Sequence, residues 1–358
     1  MKRAIVLIVG IVISVGFFAW SLEGVDTQSL IRGFANANYL SLPVLLGLLF
    51  GFYWLKTIRW AWLLSPAGNF TFRDLIGPML IGFAANNILP AHLGEFVRVF
   101  VVRRQYGVPA ATVLSTVVLE RIFDVLAILM LFGVGLAFSG ELPPEYQKGA
   151  LILGGCALAV VIAVVIYLIW TEWFLRMTSR ILSYLPFIPE SLGNKVLDML
   201  RTGASGLGAL RSGRMVVAIT ISSLLQWLLN GLIAYVALRA FGIPVTVATG
   251  LIVTGVTAVA VTIPSTPGYF GIIQGAFKLS MESQTIQQDP ALVLGSSVYY
   301  HLSMYIPVTV LGIYFLMKSG LHLKDLQDPN TIAPTTQEGS QTSPISPNAP
   351  ESRFSDME

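Results

Sequence analysis

Between Gly82 and Arg98 the chain reads Gly-Phe-Ala-Ala-Asn-Asn-Ile-Leu-Pro-Ala-His-Leu-Gly-Glu-Phe-Val-Arg. Two amides, a helix-breaking proline, a histidine, a carboxylate and a guanidinium thus fall inside sequence that is otherwise strongly apolar. A second charged group, Glu120-Arg121 with Asp124, lies in the next apolar segment. Ionisable groups at membrane depth are costly; they pair, face the protein interior and often mark a substrate path. Glu120 and Asp124 stand one helical turn apart on a shared face, with Arg121 about 60° round from Asp124. Arg121 can neutralise one of those carboxylates, and Arg98, three residues after Glu95, can pair with it. Two readings follow. In one, the charges form a structural ion-pair network, since paired charges are far cheaper to bury than lone ones. In the other, Asn86, Asn87, His92 and two helix ends join the charges in a polar substrate path, with helix N-termini and basic groups suited to phosphate.

Other candidates carry two readings as well. Arg59 can meet a phosphate or snorkel from a helix end. His92 can shuttle protons or be held in a turn, and His301, beside Tyr299, Tyr300 and Tyr305, reads as helix-to-helix packing. Pro90, Gly94, Pro264, Pro267 and Gly268 read as helix breakers, while Asn87 and Ser265 are hydrogen-bonding candidates. Cys156 is the single cysteine, so no intramolecular disulfide or thiolate metal site is expected. No metal, cofactor or nucleic-acid motif is legible.

The elements that position these residues are membrane helices. Hydrophobic residues make up 54% of the 358 positions and charged residues 11%, against roughly 25% charged in a soluble domain. Mean hydropathy is +0.73. Charge-free runs over 4–22, 149–171, 215–238, 240–277 and 290–317 reach the ~20 residues that cross a bilayer. Lys2-Arg3 lead a first run too long for a cleaved leader, so it reads as a retained span.

Basic residues set the expected topology. The second span covers about 39–64, and the third 110–138. Residues 75–104 are too short and too broken by Pro78 and Pro90 for two crossings, and residues 245–281 repeat the problem from the opposite face. The expected fold is therefore all-α: a polytopic helical bundle of about six full spans plus two oppositely oriented re-entrant hairpins, at 75–104 and 245–281. Paired interrupted helices of this kind point to a transport site near the midplane. Residues 172–214 read as a cytoplasmic amphipathic stretch on the inner leaflet or as a connecting loop. Residues 1–324 form the membrane domain, and 325–358, rich in Pro, Ser and Thr, a disordered cytoplasmic tail. Both termini are expected in the cytoplasm of a plasma-membrane protein.

Ile58-Arg59-Trp60 with Leu64, Asn87-x-x-Pro90, Gly94-Glu95-x-x-Arg98, Glu120-Arg121 and Pro264-x-x-Pro267-Gly268, taken in order, resemble the lysylphosphatidylglycerol synthase transmembrane-region family, also described as flippase-like. The likeness covers about residues 5–320. It implies a polytopic membrane protein whose relatives move aminoacylated phospholipid between leaflets or are linked to polyprenyl-phosphate sugars, with oligomers and a lipid-modifying enzyme among expected partners. The chain departs from the pattern at Tyr269-Phe270 and Gln274, where members often carry further glycine and a glutamate. Only a short tail follows Lys324, so synthesis of lysyl-lipid is not expected. The leading expectation is a lipid or lipid-linked headgroup transporter in which Arg98 and Arg121 bind phosphate and Glu95, Glu120 and Asp124 balance charge. An intramembrane enzyme acting on a lipid phosphate, with Glu95 or His92 as acid or base, and an accessory subunit of a glycosyltransferase are the alternatives.

Overall fold

The structure is a computed structural model. It describes residues 2–89, 93–139, 170–183, 213–263, 265–284 and 288–320, with isolated positions between 155 and 166. Pro90, His92, Cys156, Pro264, most of 149–170, residues 184–212 and the 325–358 tail fall outside the described residues.

All regular elements among the described residues are helical. They are α1 (Lys2–Ser21), α2 (Thr27–Asn36), α3 (Leu42–Leu64), α4 (Phe72–Ile88), α5 (Gly94–Tyr106), α6 (Ala110–Phe138), α7 (Thr171–Ser183), α8 (Gly213–Ala240), α9 (Val247–Ala260), α10 (Ile272–Glu282) and α11 (Pro290–Lys318). Three segments, Tyr39–Ala67, Gly213–Ala240 and Pro290–Lys318, are long and apolar enough to cross a membrane. The starts carry local signals. The Asp26 carboxylate accepts from Ser29 N at 2.8 Å to cap α2, a helix with no counterpart in the sequence reading. Asp74 accepts from Thr71 N at 2.7 Å ahead of α4, and Asp289 accepts from Ala291 N at 2.9 Å with Pro290 as the first residue of α11. Each satisfies an amide that the helix leaves orphaned.

Small residues let the helices approach. A Cβ on Gly94 would lie 1.9 Å from the Gly82 carbonyl oxygen, and one on Gly312 would lie 2.4 Å from that of Leu80. The first contact seats α5 on α4, and the second seats α11 on α4. Such close backbone approach is the usual basis of helix association in lipid. The α4–α5 and α9–α10 pairs each pack together; α3 lies against α4 and α8, and α6 contacts α5, α8 and α9.

The buried apolar residues form two main clusters. One gathers Leu45, Leu49, Ile233, Phe277 and Tyr300 from α3, α8, α10 and α11. The other gathers Trp60, Leu75, Met79, Val102, Phe123 and Ile219. Tyr53 and Phe83 pack against both. On the outside, Leu40, Phe50, Phe138, Val310 and Met317 remain exposed. A periphery this apolar suits hydrocarbon rather than water.

Candidate functional site

The seam between the two clusters holds the buried charge. Lys56 Nζ lies 2.8 Å from Glu120 Oε1 and 2.9 Å from Asp124 Oδ2. Arg59 Nη2 lies 2.7 Å from Asp124 Oδ1, and Arg98 Nη2 lies 2.9 Å from Glu120 Oε2. All five side chains are at most 4% exposed. The sequence makes this geometry available in a simple way. Lys56 and Arg59 share one face of α3 at a three-residue spacing, and Glu120 and Asp124 share one face of α6 at four.

Neutral groups complete the network. Arg59 donates to Ser223 Oγ. With the Gln226 amide oriented for hydrogen bonding, its oxygen accepts from Arg59 Nη1 at 2.8 Å. Trp227 Nε1 donates to Asp124 Oδ1 at 3.0 Å. The Arg98 guanidinium lies 4.3 Å from the Trp60 ring centre, and Lys56 Nζ sits 5.8 Å and 5.6 Å from the Phe52 and Phe83 ring centres. Three cations against two carboxylates leave one positive charge in surplus.

The pairing differs from the sequence reading. Arg98 meets Glu120 on α6, not Glu95, because Arg98 and its neighbours Val97 and Val101 are buried while Glu95 lies on a more exposed face of α5. Glu95 instead pairs with Arg121, whose side chain is 45% exposed. Arg59 does not snorkel: it is fully buried and held by a carboxylate. Lys56, three residues before Arg59 on α3, is a full member of the network.

A cavity of about 240 Å³ adjoins this network. Its polar lining comes from Asn86, Asn87, Asn230, Thr254, Thr257 and Arg121, and its aromatic lining includes Phe52, Phe83, Trp227, Tyr269 and His301. Phe52 and Phe83, which flank Lys56, and Trp227, which holds Asp124, are thus shared between network and cavity wall. Asn87 Nδ2 donates to Thr309 Oγ1 at 2.8 Å, and Tyr300 OH donates to Asn230 Oδ1 at 3.1 Å. The hydroxyls of Thr254 and Thr257 are buried and find no hydrogen-bond partner among the described residues. A buried polar group left so is costly. His301 stacks on Phe270 at 4.4 Å between ring centres, approaches Gln274 at 3.3 Å, and also lines the cavity.

The helix breaks border it. Asn86 Oδ1 accepts from Gly94 N at 2.7 Å, so this amide caps α5 across the break. On the other side, Pro267–Tyr269 form a short 3₁₀ turn with Gly268 at φ 79° and Tyr269 at φ 62°. A non-glycine residue in that left-handed region is uncommon, and here it brings the Tyr269 ring to the cavity. Gln274 Oε1 accepts from Gly271 N at 2.8 Å and starts α10. Ser265 does not line the cavity; its carbonyl abuts Gly10 of α1.

Residues 7–312 match the family model described as lysylphosphatidylglycerol synthase TM region. The chain belongs to that family. Among curated relatives of this lysylphosphatidylglycerol synthase TM-region member, a UPF0104 membrane protein of Methanothermobacter thermautotrophicus is 25% identical over 287 residues, covering 76% of this chain and 81% of the relative. The UPF0104 membrane protein MJ1078 of Methanocaldococcus jannaschii is 24% identical over 230 residues, covering 63% and 90%. Glycosyltransferase AglD of Haloferax volcanii is 23% identical over 344 residues, covering 87% of this chain and 54% of that protein. No solved structure matches the chain. The protein is a membrane protein, and the charged motifs that mark the family likeness, at Arg59, Arg98 and Glu120, meet in one buried network.

No group of three or more His, Cys, Asp or Glu side chains suited to a metal occurs among the described residues, and both buried carboxylates are already matched by Lys and Arg. The sequence reading missed Thr254, Thr257 and Asn230. Thr254 and Thr257 stand three apart in an apolar helix, and Ser222, Gln226 and Asn230 recur every four residues along α8. Both spacings place polar groups on one face, and that was the available signal.

Proposed function

We propose that this protein moves a phosphate-bearing lipid or lipid-linked headgroup between leaflets, with the central cavity as the polar way-station. The observation that carries this reading is the polar cavity backed by a buried network with one surplus positive charge. An anionic headgroup in the cavity would balance that charge, and the amides of Asn86, Asn87 and Asn230 on its wall would offer it hydrogen bonds. In this reading Arg121 is the cation that meets the phosphate. Arg98, enclosed by Glu120 and Trp60, holds the scaffold.

The same proposal reads α4–α5 and α9–α10 as re-entrant hairpins from opposite faces, with both termini on the cytoplasmic side of the plasma membrane. Helices of 17, 13, 14 and 11 residues rise about 26, 20, 21 and 17 Å, short of the ~30 Å hydrocarbon core. Irregular backbone at that depth is tolerated where it lines a cavity. The paired breaks match the arrangement in which transport sites form near the midplane.

A second reading takes support from the relative named glycosyltransferase AglD. Here the cargo is a sugar on a lipid phosphate, and the chain serves a glycosyltransferase system. The test is leaflet exchange of tagged lipids in proteoliposomes, comparing phosphatidylglycerol, lysyl-lipid and polyprenyl-phosphate sugar, with mass analysis of each lipid afterwards. Headgroup-dependent exchange at unchanged mass is the expected result. A product of altered mass overturns it in favour of an intramembrane enzyme.

A further inference from the structure

Arg121 lines the central polar cavity and also an apolar groove of about 570 Å³ between α5 and α6, walled by Phe96, Leu114, Val117, Val118, Ile122 and Val125. Val118, Ile122 and Val125 are 53%, 44% and 53% exposed, so the groove opens on the outer apolar surface. Its charged residues are Glu95 and Arg121, which pair with each other. Along α6 the groove runs from Leu114 to Leu126, a rise of about 18 Å, comparable to one leaflet's half of the ~30 Å hydrocarbon core. The ion pair sits part-way along it.

We propose that this groove seats one hydrocarbon chain of a phospholipid and that the Arg121–Glu95 pair is the lateral door to the central cavity. The phospholipid phosphate displaces Glu95 from Arg121, so the headgroup turns inward while the tail stays in the apolar groove. Charge complementarity selects the occupant. A guanidinium in a groove walled otherwise by apolar residues and Glu95 binds a phosphate through charge-assisted hydrogen bonds, and an uncharged headgroup only through weaker neutral ones. Continuity supports the route, because the same side chain faces both compartments. Exchanging Glu95 for a phosphate keeps Arg121 paired with an anion throughout, so the guanidinium is never left alone in the apolar groove. The inference rests on the transport reading above and adds an entry path and an occupant to it.

Photo-crosslinking tests it. Benzoylphenylalanine is placed at Val118 in the groove, or at Val310, a 59% exposed position on α11 outside the groove. Each protein is reconstituted in vesicles with equal phosphatidylglycerol and uncharged galactosyl-diacylglycerol, plus a trace of polyprenyl phosphate. The expected result is capture at Val118 enriched about tenfold in phosphatidylglycerol, as a charge-assisted contact would give, with the bulk ratio at Val310. Arg121→Gln should erase the enrichment, and Arg121→Lys, which keeps the charge, should retain most of it. Equal ratios at both positions, or enrichment that survives Arg121→Gln, overturns the proposal; capture of polyprenyl phosphate alone overturns its occupant. Leaflet exchange is read in the same vesicles. Enriched capture without exchange would sink the transport reading and keep the groove. Exchange without enriched capture would do the reverse.

Discussion

Replacing Glu120 with Gln keeps the shape of the side chain and removes one charge from the centre of the network. In the native protein Glu120 stands 2.8 Å from Lys56 and 2.9 Å from Arg98, with three cations facing two carboxylates. Glu120→Gln leaves three cations against Asp124 alone, all nearly sealed from solvent. Removing one partner of a buried pair costs about 3–5 kcal/mol, because the remaining charge stays desolvated and uncompensated. On the scaling of soluble domains that is a fall in melting temperature on the order of 10 °C. Tryptophan fluorescence in detergent micelles follows the transition, since Trp60 lies against Arg98 and Trp227 bonds Asp124. The double variant Arg98→Met with Glu120→Gln returns the network to one surplus positive charge, two cations against one carboxylate. Its cost should fall short of the sum of the single variants by about 1–3 kcal/mol. A Glu120→Gln protein melting within about 2 °C of the parent, or strictly additive singles, would refute the reasoning.

Other outcomes follow from the same geometry. Arg121→Gln should lower the melting temperature less than Glu120→Gln, because it breaks one pair whose Arg121 side chain is 45% exposed and not a sealed network of five charges, yet reduce leaflet exchange strongly; equal stability losses in the two variants would merge their roles. Gly94→Ala should separate α4 from α5, since its Cβ would lie 1.9 Å from the Gly82 carbonyl, whereas Gly16→Ala, with nothing within 4 Å, should leave folding intact; thermal melts of both decide. The bond from Ser29 N–H holds the Asp26 carboxyl below its usual range. A depressed folded-state value means that the cap's stabilisation is present above the unfolded carboxylate pKa of about 3.9 and is lost as pH falls through the lower folded value. Amide exchange at Ser29, corrected for its intrinsic rate, should therefore stay protected at neutral pH and lose protection only on strong acidification.

Much of the frame was legible in the sequence because membrane helices advertise themselves by length. The expected third span coincides with α6 at both ends, and the runs at 215–238 and 290–317 fall within α8 and α11. α2 escaped because it is short and polar, and only its Asp26 cap announces it. The site was half legible. Charges in apolar sequence pointed to Arg98, Glu120 and Asp124, but which cation meets which carboxylate is set by the tertiary rotation of α3, α5 and α6, and no spacing along one helix encodes that. The cavity hydroxyls of Thr254 and Thr257 were hidden by their residue type, since threonine within an apolar helix is usually satisfied by its own backbone.

In the proposed transport, lipid passes through the cavity lined by Thr254, Thr257 and Asn87. Leaflet exchange of tagged phosphatidylglycerol in proteoliposomes carrying Thr257→Trp tests it, because Thr257 is buried and lines the cavity, and an indole there would obstruct it. The account expects headgroup-dependent exchange in the parent protein and its loss in the folded, monodisperse variant. Exchange in the variant at the parent's rate, or a parent no faster than protein-free vesicles, would contradict it.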